Sequence, residues 1–246
     1  MGEWSNGDYR RAVGPSHLYD KMGAIQFFHL FQMGMLSTHK LLDVGCGSLR
    51  FGRFAIQYLD KGCYYGLDPD MDLVMRGVEA NVLGDLMRAK EATVRFSDDC
   101  DAAHWGVKFD YIMAQSIFSH MAEHQVRTTL YSAAEIMHNS TIFLATYYPG
   151  KIDNDRRVWC TGNVTWKPET MRGMIEDVSL HMIPTNLYRP NRQTWMWISK
   201  EPVENPDERM ETLAKQINPR VGGTKRIPSA KSIAARRKRG RVYGRR

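Results

Sequence analysis

One short segment constrains this chain more than any other. Leu41-Leu42-Asp43-Val44 is a compact apolar run with one acid, and Gly45-Cys46-Gly47 stops it before a helical pattern resumes through 49–60. A buried strand that enters a glycine turn and leaves directly as a helix leaves helix N–H groups unpaired. It also lets backbone approach a ligand closely. Asp68 ends the next apolar run, in Tyr65-Gly66-Leu67-Asp68-Pro69, 23 residues after Gly45. An acid at about that spacing meets ribose hydroxyls in nucleotide-binding α/β domains.

The alternation continues along the chain. Helices are predicted at Leu18–Leu36, 49–60, Met71–Lys90, Ala122–His138 and Pro168–Val178. Strands are predicted at Lys40–Val44, Cys63–Leu67, Ala92–Ser97, Phe109–Ala114, Thr141–Tyr147, Met182–Leu187 and Thr194–Ser199. Strands alternating with helices indicate an α/β fold with a mostly parallel sheet. A dinucleotide fingerprint wants Gly-x-Gly-x-x-Gly, whereas here Gly45-x-Gly47 is followed only by Gly52. No Gly-Lys-Ser/Thr follows the turn, which disfavours a nucleoside triphosphate site.

These residues carry a resemblance to the class I S-adenosylmethionine-dependent methyltransferases. Leu41–Pro69 is similar to their first two motifs, and the alternation over Lys40–Lys200 to their whole domain. Leu49 stands where the family has a third glycine, and the Gly-Ser-Leu-Arg variant with Gly52 is similar to a subgroup. The resemblance implies an α/β, Rossmann-like, doubly wound, mostly parallel seven-stranded sheet whose last strand is antiparallel. It also implies S-adenosyl-L-methionine as cofactor. Asp43, Gly45, Cys46 and Gly47 would then shape the methionine end, and Asp68, followed by Pro69, would hold the ribose hydroxyls. Asp98, preferred over Asp99, would meet the adenine amine, and Gln115 and Ser116 would line the cofactor. Arg50 has two readings, a partner for the methionine carboxylate or an exposed ion pair.

On the acceptor side, His120 in Gln115-Ser116-Ile117-Phe118-Ser119-His120-Met121 is the leading general base. A helix-start histidine bonded to backbone is the competing reading. Tyr148, with Tyr147, would line the acceptor pocket or simply pack at a strand end. Exocyclic-amine nucleobase enzymes carry Asn/Asp-Pro-Pro-Tyr/Phe after the fourth strand, where this chain has Ala114-Gln115-Ser116-Ile117. None of the four cysteines follows a proline, as a cytosine C5 nucleophile usually does. Asp153-Asn154-Asp155 reads as a solvated loop and no metal site is expected, since no acid ends the fourth strand. Pro190-Asn191-Arg192-Gln193-Thr194-Trp195 resembles a segment leading into the last strand of bacterial relatives.

Charge divides the chain. Residues 224–246 hold ten Lys and Arg and no acid, leaving 24 basic against 27 acidic residues in 1–223. The overall +7 is therefore a body near −3 carrying a strongly basic arm. Four segments are expected: 1–39 with an N-terminal helix, 40–200 as the methyltransferase-like domain, 201–223 as an acidic linker or surface helix start, and 224–246 as a basic tail. The tail suits RNA or a nucleoprotein partner through phosphate contacts, or serves only as a solubilising or localising arm. Four scattered cysteines, no signal-peptide run and no long apolar stretch point to a cytoplasmic chain without a membrane span. Arg236-Arg237-Lys238-Arg239 also passes for a nuclear import signal. The expected function is O- or N-directed methyl transfer. The alternatives are an inactive structural component of a nucleoprotein assembly, or a small-molecule or glycan enzyme with an incidental tail.

Overall fold

Strands covered on both faces read as continuous apolar runs. In Leu41–Val44 every residue is buried, as are five of the six in Phe109–Ala114, and these runs set the centre of the sheet. The structure, a computed structural model, describes residues 8–98, 101–159, 162–188 and 192–217. Its helices are α1 (Tyr19–Gln32), α2 (Gly52–Tyr58), α3 (Met71–Ala80), α4 (Gly84–Lys90), α5 (Glu123–Ile136), α6 (Pro168–Glu176) and α7 (Pro206–Ile217). Its strands are β1 (Leu41–Val44), β2 (Tyr64–Leu67), β3 (Thr93–Arg95), β4 (Phe109–Ala114), β5 (Met137–Pro149), β6 (Thr165–Trp166), β7 (His181–Pro184) and β8 (Thr194–Ser199).

The sheet runs β3-β2-β1-β4-β5-β8-β7. Pairs from β3 to β5 are parallel, and β8 is antiparallel to both β5 and β7. This is the expected doubly wound arrangement with its last strand reversed. The main path has the expected seven strands, and among the described residues an eighth, β6, pairs with Tyr148 and Pro149 of β5 off that path. Two residues are too few to show a strand's alternation in sequence.

Side chains alternate between two cores, one per face. Ile112, Ala114, Phe143 and Ala145 join Val126, Leu130, Met171 and Ile175 of α5 and α6. Tyr111, Met113, Ile142 and Leu144 join Leu30 of α1, Ile56 of α2 and Leu213 of α7 on the other face. Chain order reverses between β1 and β4, which opens a crevice at the carboxyl ends of these strands.

Three predicted elements change. The helix expected over Met71–Lys90 is two helices, broken where Val82 adopts φ 54°. The strand expected over Thr141–Tyr147 extends to Met137–Pro149, starting directly from the end of α5. The acidic stretch read as a linker or helix start contributes α7, whose Leu213 is buried against Gly34. No helix among the described residues is long and apolar enough to cross a membrane. The basic tail, and the short helix considered at Ser229–Arg239, lie outside the described residues.

Candidate cofactor and acceptor site

The glycine turn is locked to β2. The N–H groups of Gly45 and Cys46 both donate to the Leu67 carbonyl, at 2.7 and 3.0 Å. Gly45 and Gly47 adopt φ 68° and 52°, a left-handed backbone that costs glycine nothing. Asp68 Oδ2 accepts from Gly47 N at 2.7 Å and Oδ1 from Asp70 N at 2.9 Å, so one carboxylate ties the turn to the start of α3. Leu49, where the family resemblance expects glycine, also has a left-handed backbone at φ 58°. That conformation costs a side-chain residue about 1–2 kcal/mol, offset here by complete burial of the leucine.

The residues after the turn are gripped from both sides. A Cβ on Gly23 of α1 would stand 2.2 Å from the Arg50 carbonyl oxygen, and one on Gly77 of α3 would stand 2.2 Å from that of Ser48. Tyr19 of α1 adds a hydrogen bond from its hydroxyl to the Ser48 carbonyl at 2.9 Å. Backbone therefore touches backbone across two helices, and the turn has no room to shift.

Three charged side chains converge there. Asp43 is buried and accepts from the Tyr64 hydroxyl at 2.8 Å, and burial pushes its carboxyl up to about 7. Burial also raises the Asp68 carboxyl above its ordinary value. Arg50 is buried, which lowers its guanidinium to about 10; it donates to the Val13 carbonyl and to Gln115 Oε1. Its Nε has no hydrogen-bond partner among the described residues. Two buried carboxyl groups thus face one buried guanidinium, and a cationic ligand bound there would favour their ionised forms.

Gln115 opens a polar network across the sheet ends. Its Oε1 also accepts from Gln26 Nε2 at 3.2 Å, and its Nε2 donates to Gln193 Oε1 at 3.0 Å. Gln193 Oε1 further accepts from Thr146 Oγ1 at 2.7 Å, and its Nε2 donates to Ser116 Oγ at 2.7 Å and Ser119 Oγ at 3.2 Å. One amide from the start of β8 therefore holds β5 and the segment after β4 together. Ser116 sits at φ 65° within that segment. Above the turn lie Ile117, whose Cδ1 is 2.0 Å from where a Gly45 Cβ would be, and Val13, with Cγ1 2.6 Å from the Gly47 equivalent. A cavity of about 660 Å³ lies at the opposite end of the strands, among Asp110, His138, Ser199 and Arg209.

The segment 116–121 is also clamped from outside. Trp166 Nε1 donates to Phe118 O at 2.9 Å, Val164 N to Ser119 O at 2.8 Å, and Asn154 Nδ2 to Met121 O at 2.9 Å. Asp153, in the loop read as solvated, turns inward, accepting from Lys167 N and Thr170 Oγ1 and pairing with Lys167 Nζ. His120 stacks on Trp159, with ring centroids 5.5 Å apart and planes at 28°.

The structure brings together Asp43, Gly45, Cys46, Gly47, Arg50, Asp68, Gln115 and Ser116 at the ends of β1, β2 and β4. Arg50 is a buried member of this group and not a surface ion pair. Pro69 is exposed just beyond Asp68, and Asp98 is exposed beyond β3. Tyr148 is half-buried where β5 pairs with β6, and His120 stands on the outer side of the clamped segment. Sequence reasoning gave no site role to Gln26, Thr146 or Trp159, and met Gln193 and Ile117 only as members of longer segments. Gln26 carried a signal, a polar residue on the apolar face of α1, and Gln193 carried another, a polar residue opening an apolar strand.

No protein-family model and no curated protein matches the chain. Solved structures do. The magnesium protoporphyrin IX methyltransferase of Synechocystis, solved with bound SAM, aligns over 82% of this chain and 86% of its own, with TM-score 0.55 and 14% identity. The CcbJ methyltransferase of Streptomyces caelestis aligns over 80% and 93%, with TM-score 0.57 and 10% identity. An S-adenosylmethionine-dependent methyltransferase of Clostridium acetobutylicum aligns over 76% and 98%, with TM-score 0.56 and 9% identity. With these likenesses and its strand order, the chain has the fold of the class I S-adenosylmethionine-dependent methyltransferases.

Proposed function

We propose that this chain is an S-adenosylmethionine-dependent methyltransferase acting on an oxygen or nitrogen acceptor. The observation that carries the reading is the buried pair Asp43 and Asp68 facing Arg50 around the Gly45–Gly47 turn, two carboxyl groups against one guanidinium at the switch point of the sheet. These residues fit the cofactor. Asp68 spends two of about four acceptor sites on backbone and keeps the others for ribose hydroxyls. Arg50 Nε, buried and without a hydrogen-bond partner among the described residues, suits the methionine carboxylate, and Asp43 would offset the positive charge of the amino or sulfonium group. Cys46, Gln115 and Ser116 line the same end, while Pro69 and Asp98 flank the ribose and adenine side.

Bound S-adenosylmethionine supplies a methyl carbon on a sulfonium, a leaving group that needs no acid. The chain then has to align the acceptor, exclude water and take a proton where the acceptor carries one. His120 takes that proton at a ring nitrogen, and Tyr148 borders the acceptor. The network of Gln193, Gln115 and Thr146 keeps segment 116–121 in one geometry while this occurs. Tritiated cofactor incubated with the protein and a fractionated lysate tests the reading. Label should enter one fraction with wild type and fall at least tenfold with His120→Ala, whereas no labelled fraction would contradict transferase activity.

One observation favours a second reading, a methyltransferase fold kept without turnover. Ile117 and Val13 lie against the glycines that a cofactor would touch. In either reading the ten basic residues of 224–246 bring the body to RNA or a nucleoprotein. Deleting 224–246 should leave cofactor binding intact and remove partner cosedimentation.

A further inference from the structure

We propose that the exposed loop Lys151–Trp159 is the platform on which the methyl acceptor docks, and that the acceptor is a single-stranded nucleic acid. This inference rests on the methyltransferase reading, because it places the acceptor beside His120. The loop is anchored at its base and open at its top. Asn154 and Val164 hold it to Met121 and Ser119, and Thr165 Oγ1 donates to Ile152 O at 2.8 Å. With its inward polar groups satisfied, it still presents Ile152 at 75% exposure, Val158 at 69% and Trp159 at 45%. Apolar residues that the fold could bury but does not, on a loop so firmly tied down, mark a contact surface.

Two features give that surface its chemistry. Trp159 has one face against His120 and remains 45% exposed, so the indole offers an open aromatic face directly beyond the candidate base. Every nucleobase has a π-face that stacks on such a ring, and only unpaired bases expose it. The charged residues exposed beside it are Lys151, Arg156 and Arg157 against Asp155, a net positive rim suited to phosphodiesters. The tail 224–246, with ten basic residues, asks for the same polyanion. A duplex would satisfy the charges and leave Trp159 unused, and an apolar protein partner would leave the arginines unused.

Fluorescence anisotropy with the full chain tests this, using one labelled sequence as single-stranded RNA, single-stranded DNA and duplex. Trp159→Ala should weaken single-strand binding about tenfold or more, Trp159→Phe should hold it within about threefold, and duplex binding through the tail should not change. Reversing both arginines, Arg156→Glu with Arg157→Glu, should lower the slope of log affinity against log salt by about 1.4 or more. Whichever single strand binds tighter in wild type and loses most in Trp159→Ala is the acceptor polymer. Wild-type affinity in Trp159→Ala, or an equal loss on duplex, would overturn the platform. S-adenosylhomocysteine titrations on the same samples separate the two readings. Wild-type single-strand affinity in Trp159→Ala with intact cofactor binding defeats the platform and leaves the methyltransferase reading standing, whereas absent cofactor binding in wild type defeats that reading and, with it, the platform's role as an acceptor site.

Discussion

Two regions flank the segment Gln115–Met121, and they are held in opposite ways. On one side the glycine turn is fixed by buried backbone, with helices α1 and α3 in contact with the Arg50 and Ser48 carbonyls. On the other side the described residues of the loop, 150–159 and 162–164, are tied at a few polar anchors, and Ile152, Val158 and Trp159 are exposed. The first arrangement admits one shape and one charge pattern. The second permits side chains to change without disturbing the fold, as expected where loops on a rigid scaffold carry substrate choice. On the proposed function, the cofactor side is built into the packing and acceptor selectivity falls to the loop.

The comparison can be broken most sharply with glycine. Gly77→Ala should cost about 3 kcal/mol in urea unfolding, because the new methyl meets backbone that cannot move. Gly162→Ala in the loop, whose added methyl would meet no described atom within 4 Å, should stay within about 0.5 kcal/mol. Equal effects would show that the turn is no tighter than the loop.

A second test comes from protons. Asp43 has an ordinary value of 3.8 and is pushed up to about 7 by burial, so the folded chain binds a proton that the unfolded chain has released. Stability should therefore fall as pH rises from about 4 to 7 and then level off, with Asp68 contributing in the same direction. Asp43→Asn should flatten this part of the unfolding profile, and an unchanged slope would remove Asp43 from the account.

Ile117→Ala should tighten S-adenosylhomocysteine binding about threefold in a titration, since a ligand against Gly45 no longer has to displace the isoleucine. Weaker binding would instead make Ile117 part of the cofactor's packing. An effect of similar size is expected from Asn154→Ala, which leaves the Met121 carbonyl without its loop partner. It should lower stability by about 1 kcal/mol in thermal melts and leave cofactor affinity unchanged.

The sheet was legible because its strands are apolar runs between turn residues, and β4 begins and ends at the predicted residues. The turn and Asp68 were legible because glycine and an acid at fixed spacing have few other uses. What hid from the sequence is contact between distant segments. Gly23 and Gly77 look like ordinary helix glycines until backbone is found against them. Gln26 and Gln193 are 167 positions apart yet meet through Gln115, and no local pattern announces such a network. The break in Met71–Lys90 was hidden for a different reason. Val82 is a poor residue for a left-handed backbone, and it is held there while Leu83 is buried.

The central claim is that the Gly45–Gly47 turn with Asp68 holds S-adenosylmethionine, and isothermal titration with S-adenosylhomocysteine tests it most directly. Wild type should bind with a single site, and Asp68→Ala should lose at least a hundredfold in affinity while unfolding as cooperatively as wild type. No heat at high micromolar ligand, or an Asp68→Ala protein that binds as well as wild type, would contradict the assignment.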